Sequence, residues 1–297
     1  MADGGRDKTS NHARGGAGGQ VCEGACARTQ GDAGGLSSFA LKMVAIVGMT
    51  ANHAAYLFDA QLPFAARCLL YAAGGLTFPV MAFLLVEGYR HTSNVKKYAL
   101  RLGVFAVVSQ IPYVLFLAGD ANVLFTLLIG LGVLYAHDHV ANRAAFWALF
   151  AAALLASLVC NWGFVGVVMI FLFKVLGAGT QRDAETCGGE ADGGDFVPAA
   201  LKTPLGAVAA PVLLVVVADG FPLLATLATG VSTAGDWSLL PFVLYPLVGC
   251  TLTIPLLRAY RGRRGLPMKW FFYAYYPLHI AVLGVAHLVL FGTMPTY

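Results

Sequence analysis

The stretch FPVMAFLLVEGYRHTSNVKKYALRLGVFAVVSQIPYVLFLAG (78–119) contains the end of one apolar run, a short basic loop and a second apolar run. After Arg101, the second run carries no charged residue up to Gly119. An α-helix rises 1.5 Å per residue, so about 20 apolar residues cross the roughly 30 Å hydrocarbon layer of a bilayer. The stretch therefore predicts two membrane-spanning helices joined by a basic loop.

The composition extends this interpretation to the whole chain. Of its 297 residues, 58% are hydrophobic and only 11% are charged, whereas a soluble domain carries about 25% charged residues. A soluble core of this length could not bury so much apolar surface. We therefore predict an all-α fold, a polytopic integral membrane helical bundle.

Apolar runs separated by short polar loops predict about nine spans, within a range of eight to ten. The region 219–237 is interrupted by Pro222 and Gly230, so we predict a re-entrant or interfacial piece there; counted as a full span, it would give ten. The nine predicted spans cover 38–57, 66–87, 98–118, 122–137, 144–160, 162–177, 204–218, 238–257 and 270–291.

Two segments lack hydrophobic periodicity. Residues 1–36 are rich in Gly, Ala, Asp and Arg and predict a disordered cytoplasmic tail, while 178–203 predicts a flexible loop within a single membrane domain, 37–297. Cys22 and Cys26 have no neighbouring His or Cys pair, so no metal site is predicted.

The basic residues predict the orientation. They gather in two loops, 90–101 and 258–269, whereas the loop at Gly119 and Asp120 has none. Basic loops of membrane proteins face the cytoplasm. Nine spans place both basic loops and the N-terminus inside, which predicts a multi-pass protein of the plasma or inner membrane.

Several polar side chains lie within or beside the predicted spans, where an ionisable residue costs about 2.5–3.5 kcal/mol on insertion scales. Residues at span ends can simply anchor the helix at the interface, and Gln110 or Asn122 can join helices by hydrogen bonds. His53 and His279 are harder to explain in this way, because a buried imidazole needs a partner. An imidazole has an ordinary pKa near 6.5, which suits a general base. The basic inner loops would attract an anionic, nucleotide-like donor.

Five stretches carry a family resemblance: FPVMAFLLVEGYRHTSNVKKYALRL (78–102), FAVVSQIPY (105–113), NVLFTLLIGL (122–131), NWGFVGV (161–167) and FFYAYYPLHI (271–280). In these, the chain resembles the TraX family of membrane proteins. The resemblance implies acyl transfer from acyl-CoA, because the founding member N-acetylates a conjugative pilin. The family's polar motif positions would match His53, Glu87, Lys97, Arg101, Gln110, Asn122 and His279.

Two positions depart from the family pattern. Asn52 stands where the family usually has an Asp before the first histidine, and Gly75 stands where it tends to have an Arg. An Asp could stabilise a developing imidazolium, and an Arg could hold an anion. The two departures therefore affect positions that acetylation in particular would use.

We accordingly expect a membrane-embedded acyltransferase that moves an acetyl group from acetyl-CoA, as co-substrate with no bound cofactor, to a pilin-like N-terminus or an envelope glycan. The expected partners are membrane lipid, acyl-CoA and that acceptor, without nucleic acid. His53 would act as the base, His279 would orient it, and Asn122 or Asn161 would stabilise the oxyanion. The catalytic candidates are His53, His279 and Asn52; the substrate-binding candidates are Glu87, Arg90, Lys96, Lys97, Arg101, Gln110, Asn122, Asn161 and Tyr276.

Other classes of protein remain open. A transporter or exporter also keeps ionisable residues within its spans, but such folds commonly show internal repeats, and we find none in the sequence. A structural subunit of a conjugation or secretion apparatus would use the histidines only for packing. A haem protein is a weaker alternative, because His53 and His279 are predicted at different depths.

Overall fold

The computed structural model describes residues 35–177, 201, 203–228 and 237–294. Within these ranges the chain is almost entirely helical, and extended pairing is limited to two isolated bridges, Leu36 with Tyr260 and Ala121 with Cys160. The predicted all-α fold is confirmed. The predicted tail and the loop 178–203 lie outside the described residues, apart from Gly35, Leu36, Leu201 and Thr203.

The described residues form nine main helical segments, three of which contain an internal irregularity, and a short 3₁₀ helix at Asp59–Gln61. α2 bends into α3 at Gly75 and Leu76, and two other segments each pass through a π-helical turn. The segments are α1 (Ser38–Leu57), α2 (Phe64–Gly74) with α3 (Thr77–Arg90), α4 (Val95–Phe116), α5 (Val123–His139), α6 (Arg143–Ser157), α7 (Gly163–Val175), α8 (Pro204–Val215) with turn π1 (Val216–Gly220) and α9 (Phe221–Ala228), α10 (Leu240–Leu244) with turn π2 (Tyr245–Cys250) and α11 (Thr251–Arg258), and α12 (Lys269–Phe291).

The lengths of these segments fit a multi-pass membrane bundle. Five are long and apolar enough to cross a bilayer: Phe64–Arg90, Val95–Phe116, Pro204–Thr226, Leu240–Arg258 and Trp270–Phe291. Three shorter apolar helices, α5, α6 and α7, accompany them. The 20 residues of α1 reach about 30 Å, and α1 also carries Lys42, Asn52 and His53.

The prediction for 219–237 is wrong in its first half. The helix that begins at Pro204 does not stop at residue 218 but continues through Asp219 to Ala228. Pro222 removes a backbone donor and would normally clash with the preceding turn. Here the wider turn π1 immediately precedes it, and such turns absorb irregularities within a continuous helix. Residues 229–236 lie outside the described part of the chain.

The helices of the bundle run between two common ends. Ser37 caps the N-terminus of α1, and its hydroxyl accepts a hydrogen bond from the backbone N–H of Ala40 at 3.2 Å. α1 packs against α2, α3 and α12, and α12 in turn packs against α4. We call the end where α1, α4 and α12 begin, with loops 91–94 and 259–268, the basic end. The other end, with loops 58–63, 117–122 and 158–162, is the opposite end.

A close helix crossing joins α2 to turn π2. A Cβ added to Gly75 would lie 2.1 Å from the carbonyl oxygen of Tyr245, and one added to Gly249 would lie 2.2 Å from that of Ala72. Both distances are below van der Waals contact, so the backbones meet at a separation that only glycine permits. An arginine at position 75 could not be accommodated unless the two segments moved apart.

We expect Gly249→Ala to destabilise the protein by about 1–3 kcal/mol, the usual size of an overpacking penalty. The matched control is Gly132→Ala on α5, because a Cβ there would meet nothing within 4 Å. Helix propensity favours alanine by up to about 1 kcal/mol, so the control should leave stability unchanged or raise it. Thermal unfolding of the two variants in detergent measures the difference. Equal unfolding temperatures would contradict the close contact between α2 and turn π2.

Candidate functional site

A cavity of about 690 Å³ lies against α1, with further walls from α3, α4, α5 and α12. It follows α1 from Lys42 to Tyr56, about 21 Å at the helical rise. The middle of the cavity is apolar, with Ile46, Met49 and Leu127 on its wall. The cavity therefore extends along most of the length of the first helix.

The two ends of the cavity differ in charge. Lys42 and Arg101 line the basic end, whereas Asp120 and Asp219 line the half nearer the opposite end. Neither carboxylate forms an ion pair within the described part of the chain. A bound molecule would thus meet positive charge at one end and negative charge towards the other.

Two histidines from distant parts of the sequence meet beside this cavity. Nδ1 of His53 on α1 lies 2.7 Å from Nε2 of His279 on α12, and the two rings are nearly parallel, at 9°. His53 lines the cavity, while His279 is 6% exposed and lies behind it. The prediction that the two histidines sit at different depths is wrong, because α12 brings His279 level with His53.

The hydrogen bonds of this pair determine its tautomers. Nδ1 of His279 lies 2.8 Å from the carbonyl oxygen of Tyr275, which can only accept, so that nitrogen carries the proton. In the neutral ring, Nε2 of His279 is then the acceptor, and Nδ1 of His53 donates to it. Nε2 of His53 consequently keeps its lone pair. In this neutral form, an unprotonated ring nitrogen of His53 is therefore held beside the cavity.

Tyr275 also holds His279 from its other side. The Tyr275 ring stacks on the His279 ring with 5.1 Å between centroids and 11° between planes. Its hydroxyl lies 2.8 Å from Oγ1 of Thr50, and that hydroxyl in turn donates to the carbonyl of Ile46. Tyr275 must therefore donate to Thr50. Nothing in the spacing of Tyr275 along the sequence signals these contacts.

Asn52 lines the same cavity but has different neighbours. Its side chain packs against Gly74 of α2, where an added Cβ would lie 2.6 Å from Oδ1 of Asn52. That oxygen is buried and has no hydrogen-bond partner among the described residues. Adjacent helical residues point about 100° apart, which is why Asn52 faces α2 while His53 faces α12.

Gln110 and Asn122 build the turn between α4 and α5. The Asn122 amide donates to the carbonyl of Ala106 and to Oε1 of Gln110, both at 2.8 Å, and Oδ1 of Asn122 caps α5 by accepting from Leu124. The other end of the Gln110 amide donates to the carbonyl of Asp120 at 2.7 Å. Both donors of Asn122 are thus engaged, so the geometry does not support Asn122 as an oxyanion donor. Neither residue lines the cavity.

Asn161 and Trp162 form the cavity wall at the opposite end. The Asn161 backbone is fixed by a 2.7 Å bond from its N–H to the carbonyl of Ala121 and by a hydrogen bond from the Thr126 hydroxyl to its own carbonyl. Trp162 has φ of 70°, the left-handed region that non-glycine residues rarely adopt. Its ring stacks on Phe78 at 4.1 Å. Strained backbone of this kind occurs preferentially at functional sites.

One of the two positive charges that line the basic end of the cavity, Lys42, comes from a residue that the sequence did not single out. Lys42 lies over the ring of Phe272 at 5.2 Å, and Arg101 lies over that of Tyr98 at 5.9 Å. Nε of Arg101 is buried without a hydrogen-bond partner in the described chain. A lone lysine near the start of a span resembles an interface anchor, so nothing in the sequence distinguishes Lys42 as a cavity residue.

The predicted residues thus divide into two groups. Asn161, Arg101 and Tyr276 line the cavity together with Asn52 and His53, and His279 is within hydrogen-bond distance of His53. The others lie off the cavity: Glu87 and Arg90 approach each other at 3.9 Å, and the backbone of Lys97 is bonded to Asn94 in the first turn of α4. The predicted substrate-binding residues that the cavity does not contact are Glu87, Arg90, Lys96, Lys97, Gln110 and Asn122.

Sequence reasoning also missed two residues in the π-helical turns. Asp219 of π1 and Tyr245 of π2 both line the cavity, and the two turns pack together. π-helical turns are rare and are frequent at functional sites. An ionisable residue within a span would have been a signal, but the predicted span ended one residue before Asp219.

The fold and the site together define a polytopic α-helical membrane protein with a histidine pair on an elongated internal cavity. The family described as TraX protein matches residues 37–185 and 200–287, and the chain belongs to that family. The chain is also 30% identical over 270 residues to "Probable fimbrial assembly protein FimC, serogroup H1" of Dichelobacter nodosus, covering 86% of this chain and 97% of the relative. No solved structure matches the chain.

Proposed function

We propose that this protein is a membrane-embedded acetyltransferase that uses acetyl-CoA as the donor. The observation that carries the proposal is the cavity itself, which joins two cationic side chains at one end to the base His53 farther along the same helix. This arrangement suits a donor with a charged head and a reactive thioester at the tip of a long arm. The basic end would face the cytoplasm of a plasma or inner membrane, in keeping with the excess of Lys and Arg there.

The donor would enter from the basic end. Its phosphates would lie near Lys42 and Arg101, which can donate charge-assisted hydrogen bonds to them. Such bonds are stronger than those between neutral groups. Lys42 and His53 are separated by about 16 Å along α1 at 1.5 Å per residue. The donor's arm would cover this distance along the apolar wall, which includes Ile46 and Met49.

The chemistry is direct transfer. Nε2 of His53 takes a proton from the acceptor's amine or hydroxyl while the acceptor attacks the thioester carbon. A bond from carbon to the acceptor nitrogen or oxygen forms, the carbon–sulfur bond breaks, and the leaving thiolate takes the proton from His53 to become the free thiol. His279 accepts the hydrogen bond of His53 throughout and so stabilises the imidazolium. Asn161, on the cavity wall, would donate to the developing oxyanion.

The acceptor would approach from the opposite end, where Tyr276, Asp120 and Asn161 line the cavity. The relative's name refers to fimbrial assembly. A pilin-like N-terminus is an acceptor that fits such a context, and an envelope glycan is the other candidate. With either acceptor, the protein would modify a component of a cell-surface structure during its assembly.

Purified protein in proteoliposomes, supplied with radiolabelled acetyl-CoA and membrane extracts as acceptor, tests the proposal. We expect the label to appear on a protein or glycan without movement of acetyl-CoA across the bilayer. A transporter would instead carry labelled solute into the vesicle lumen with no covalent product, and a purely structural subunit would give neither. Either of these results would contradict the proposal that the protein is an acetyltransferase.

A further inference from the structure

The loop between α11 and α12 carries a cluster of exposed arginines, Arg261, Arg263 and Arg264, which we call the arginine loop. Within the described chain, none of these guanidinium groups forms an ion pair with a carboxylate. Positive charge in a cytoplasmic loop needs no further explanation when the loop is irregular and free. This loop, however, is held by the chain segment that precedes α1.

The segment Gly35–Ser38 pairs with the arginine loop through four hydrogen bonds. The N–H of Leu36 donates to the carbonyl of Ala259 at 2.9 Å, and the carbonyl of Leu36 accepts from the N–H of Arg261 at 3.1 Å. Ser38 then binds twice: its N–H donates to the carbonyl of Arg263 at 2.8 Å and its hydroxyl to that of Arg264 at 2.7 Å. The backbone of the loop is thus fixed.

Close packing strengthens this pairing. A Cβ on Gly35 would lie 2.3 Å from Cγ of Arg261, and Gly265 takes a positive φ of 67° against Ser37 and Phe39. Only glycine adopts that conformation without strain. The backbone of the loop is therefore held in one conformation, which lowers the entropic cost of using its arginines to bind a ligand.

The arginine loop also lies beside the basic end of the cavity. Ser38, which holds it, precedes the cavity residue Lys42 by about one helical turn. Phe39 of the same turn packs on Phe272, whose ring lies under Lys42 and which also lines the cavity. The loop and the cavity opening thus share the first turns of α1 and α12.

We propose that the arginine loop is a second phosphate-binding site, which holds the ribose 3′-phosphate of the CoA donor outside the cavity. This inference rests on the proposed function. Lys42 and Arg101 supply two positive charges inside the cavity, whereas the head of CoA carries a diphosphate and a separate monophosphate. Arginine's planar group suits a phosphate monoester, to which it can bind through two parallel hydrogen bonds. The 3′-phosphate is thereby distinguished from the diphosphate by position.

The test compares acetyl-CoA with acetyl-dephospho-CoA, which lacks only the 3′-phosphate, as donors for the double variant Arg263→Gln, Arg264→Gln. We expect KM for acetyl-CoA to rise about 10-fold, with KM for the dephospho donor and both kcat values unchanged. Arg143→Gln is the matched control, since Arg143 is an exposed arginine that begins α6 away from this loop, and it should alter neither KM. Ser38→Ala, which removes the bond to Arg264, should shift KM for acetyl-CoA in the same direction by less.

Equal increases in KM for both donors would overturn the proposal, because a general loss of surface charge or of insertion would not depend on the 3′-phosphate. An unchanged KM for acetyl-CoA would overturn it as well. Equilibrium binding of CoA and dephospho-CoA, measured without acceptor, tests the arginine loop independently of the transfer reaction. If the wild-type protein prefers CoA and the double variant does not, the loop is supported even where no transfer occurs. If transfer occurs without that preference, only the loop is wrong.

Discussion

Replacing His53 with alanine is expected to lower acetyl transfer by about 10²–10⁴-fold, the contribution that a positioned general base typically makes. The loss should lie in kcat, because Nε2 of His53 acts on the acceptor proton during the reaction. KM for acetyl-CoA should change little, since the donor's charged head would bind about 16 Å away, near Lys42. Label transferred per minute from radiolabelled acetyl-CoA, over a range of donor concentrations, measures both quantities.

His139→Ala is a suitable control for this substitution. His139 ends α5 at the basic end, and among the described residues it bonds only within its own helix, where Nδ1 lies 2.9 Å from the carbonyl of Tyr135. It is exposed and does not line the cavity, so its loss should leave transfer intact. Equal labelling by the wild-type protein and by His53→Ala would remove His53 from the mechanism, and acyl transfer at this cavity would lose its base.

The helical fold could be predicted closely because apolar run length directly reflects bilayer thickness. The first span, 38–57, coincides with α1, and nine predicted spans correspond to nine helical segments in the described chain. The error at Asp219 has a physical cause. Pro222 and a charged residue are signals that end helices in water, yet within a bundle a π-helical turn allows the helix to continue and turns the carboxylate onto a cavity.

The site could be predicted only in part. His53 and His279 stood out because an imidazole within a span is costly, but their contact joins residues 226 positions apart, and no local pattern encodes that. Asn122 stood out as a polar residue at the start of a span and proved to cap a helix. Lys96 and Lys97 were indistinguishable from cavity residues in the sequence, whereas Lys42 resembled an anchor. Charge alone shows which end of a bundle is basic, and packing decides which charge reaches the cavity.

The second large effect concerns His279. His279→Ala should reduce kcat by about 10–100-fold, the loss typical when the hydrogen-bond partner that orients a metal-bound imidazole is removed. Without Nε2 of His279 as acceptor, the ring of His53 can rotate or adopt its other tautomer, and the lone pair no longer points reliably into the cavity. His279→Gln should restore part of the rate, because its side-chain oxygen can still accept from His53. A merely structural role would not predict that rescue.

The same helix provides the matched control. His287 lies two turns beyond His279, is buried to 4% exposure, and packs between Phe58 and Phe291 with Nδ1 3.2 Å from the carbonyl of Thr293. His287→Ala should therefore lower the unfolding temperature and leave transfer per folded molecule unchanged. If both variants lost activity in proportion to stability, His279 would be a packing residue. If only His279→Ala lost activity at equal stability, the proton on His53 is placed by its neighbour on α12, and the base of this site is the pair of histidines rather than either one alone.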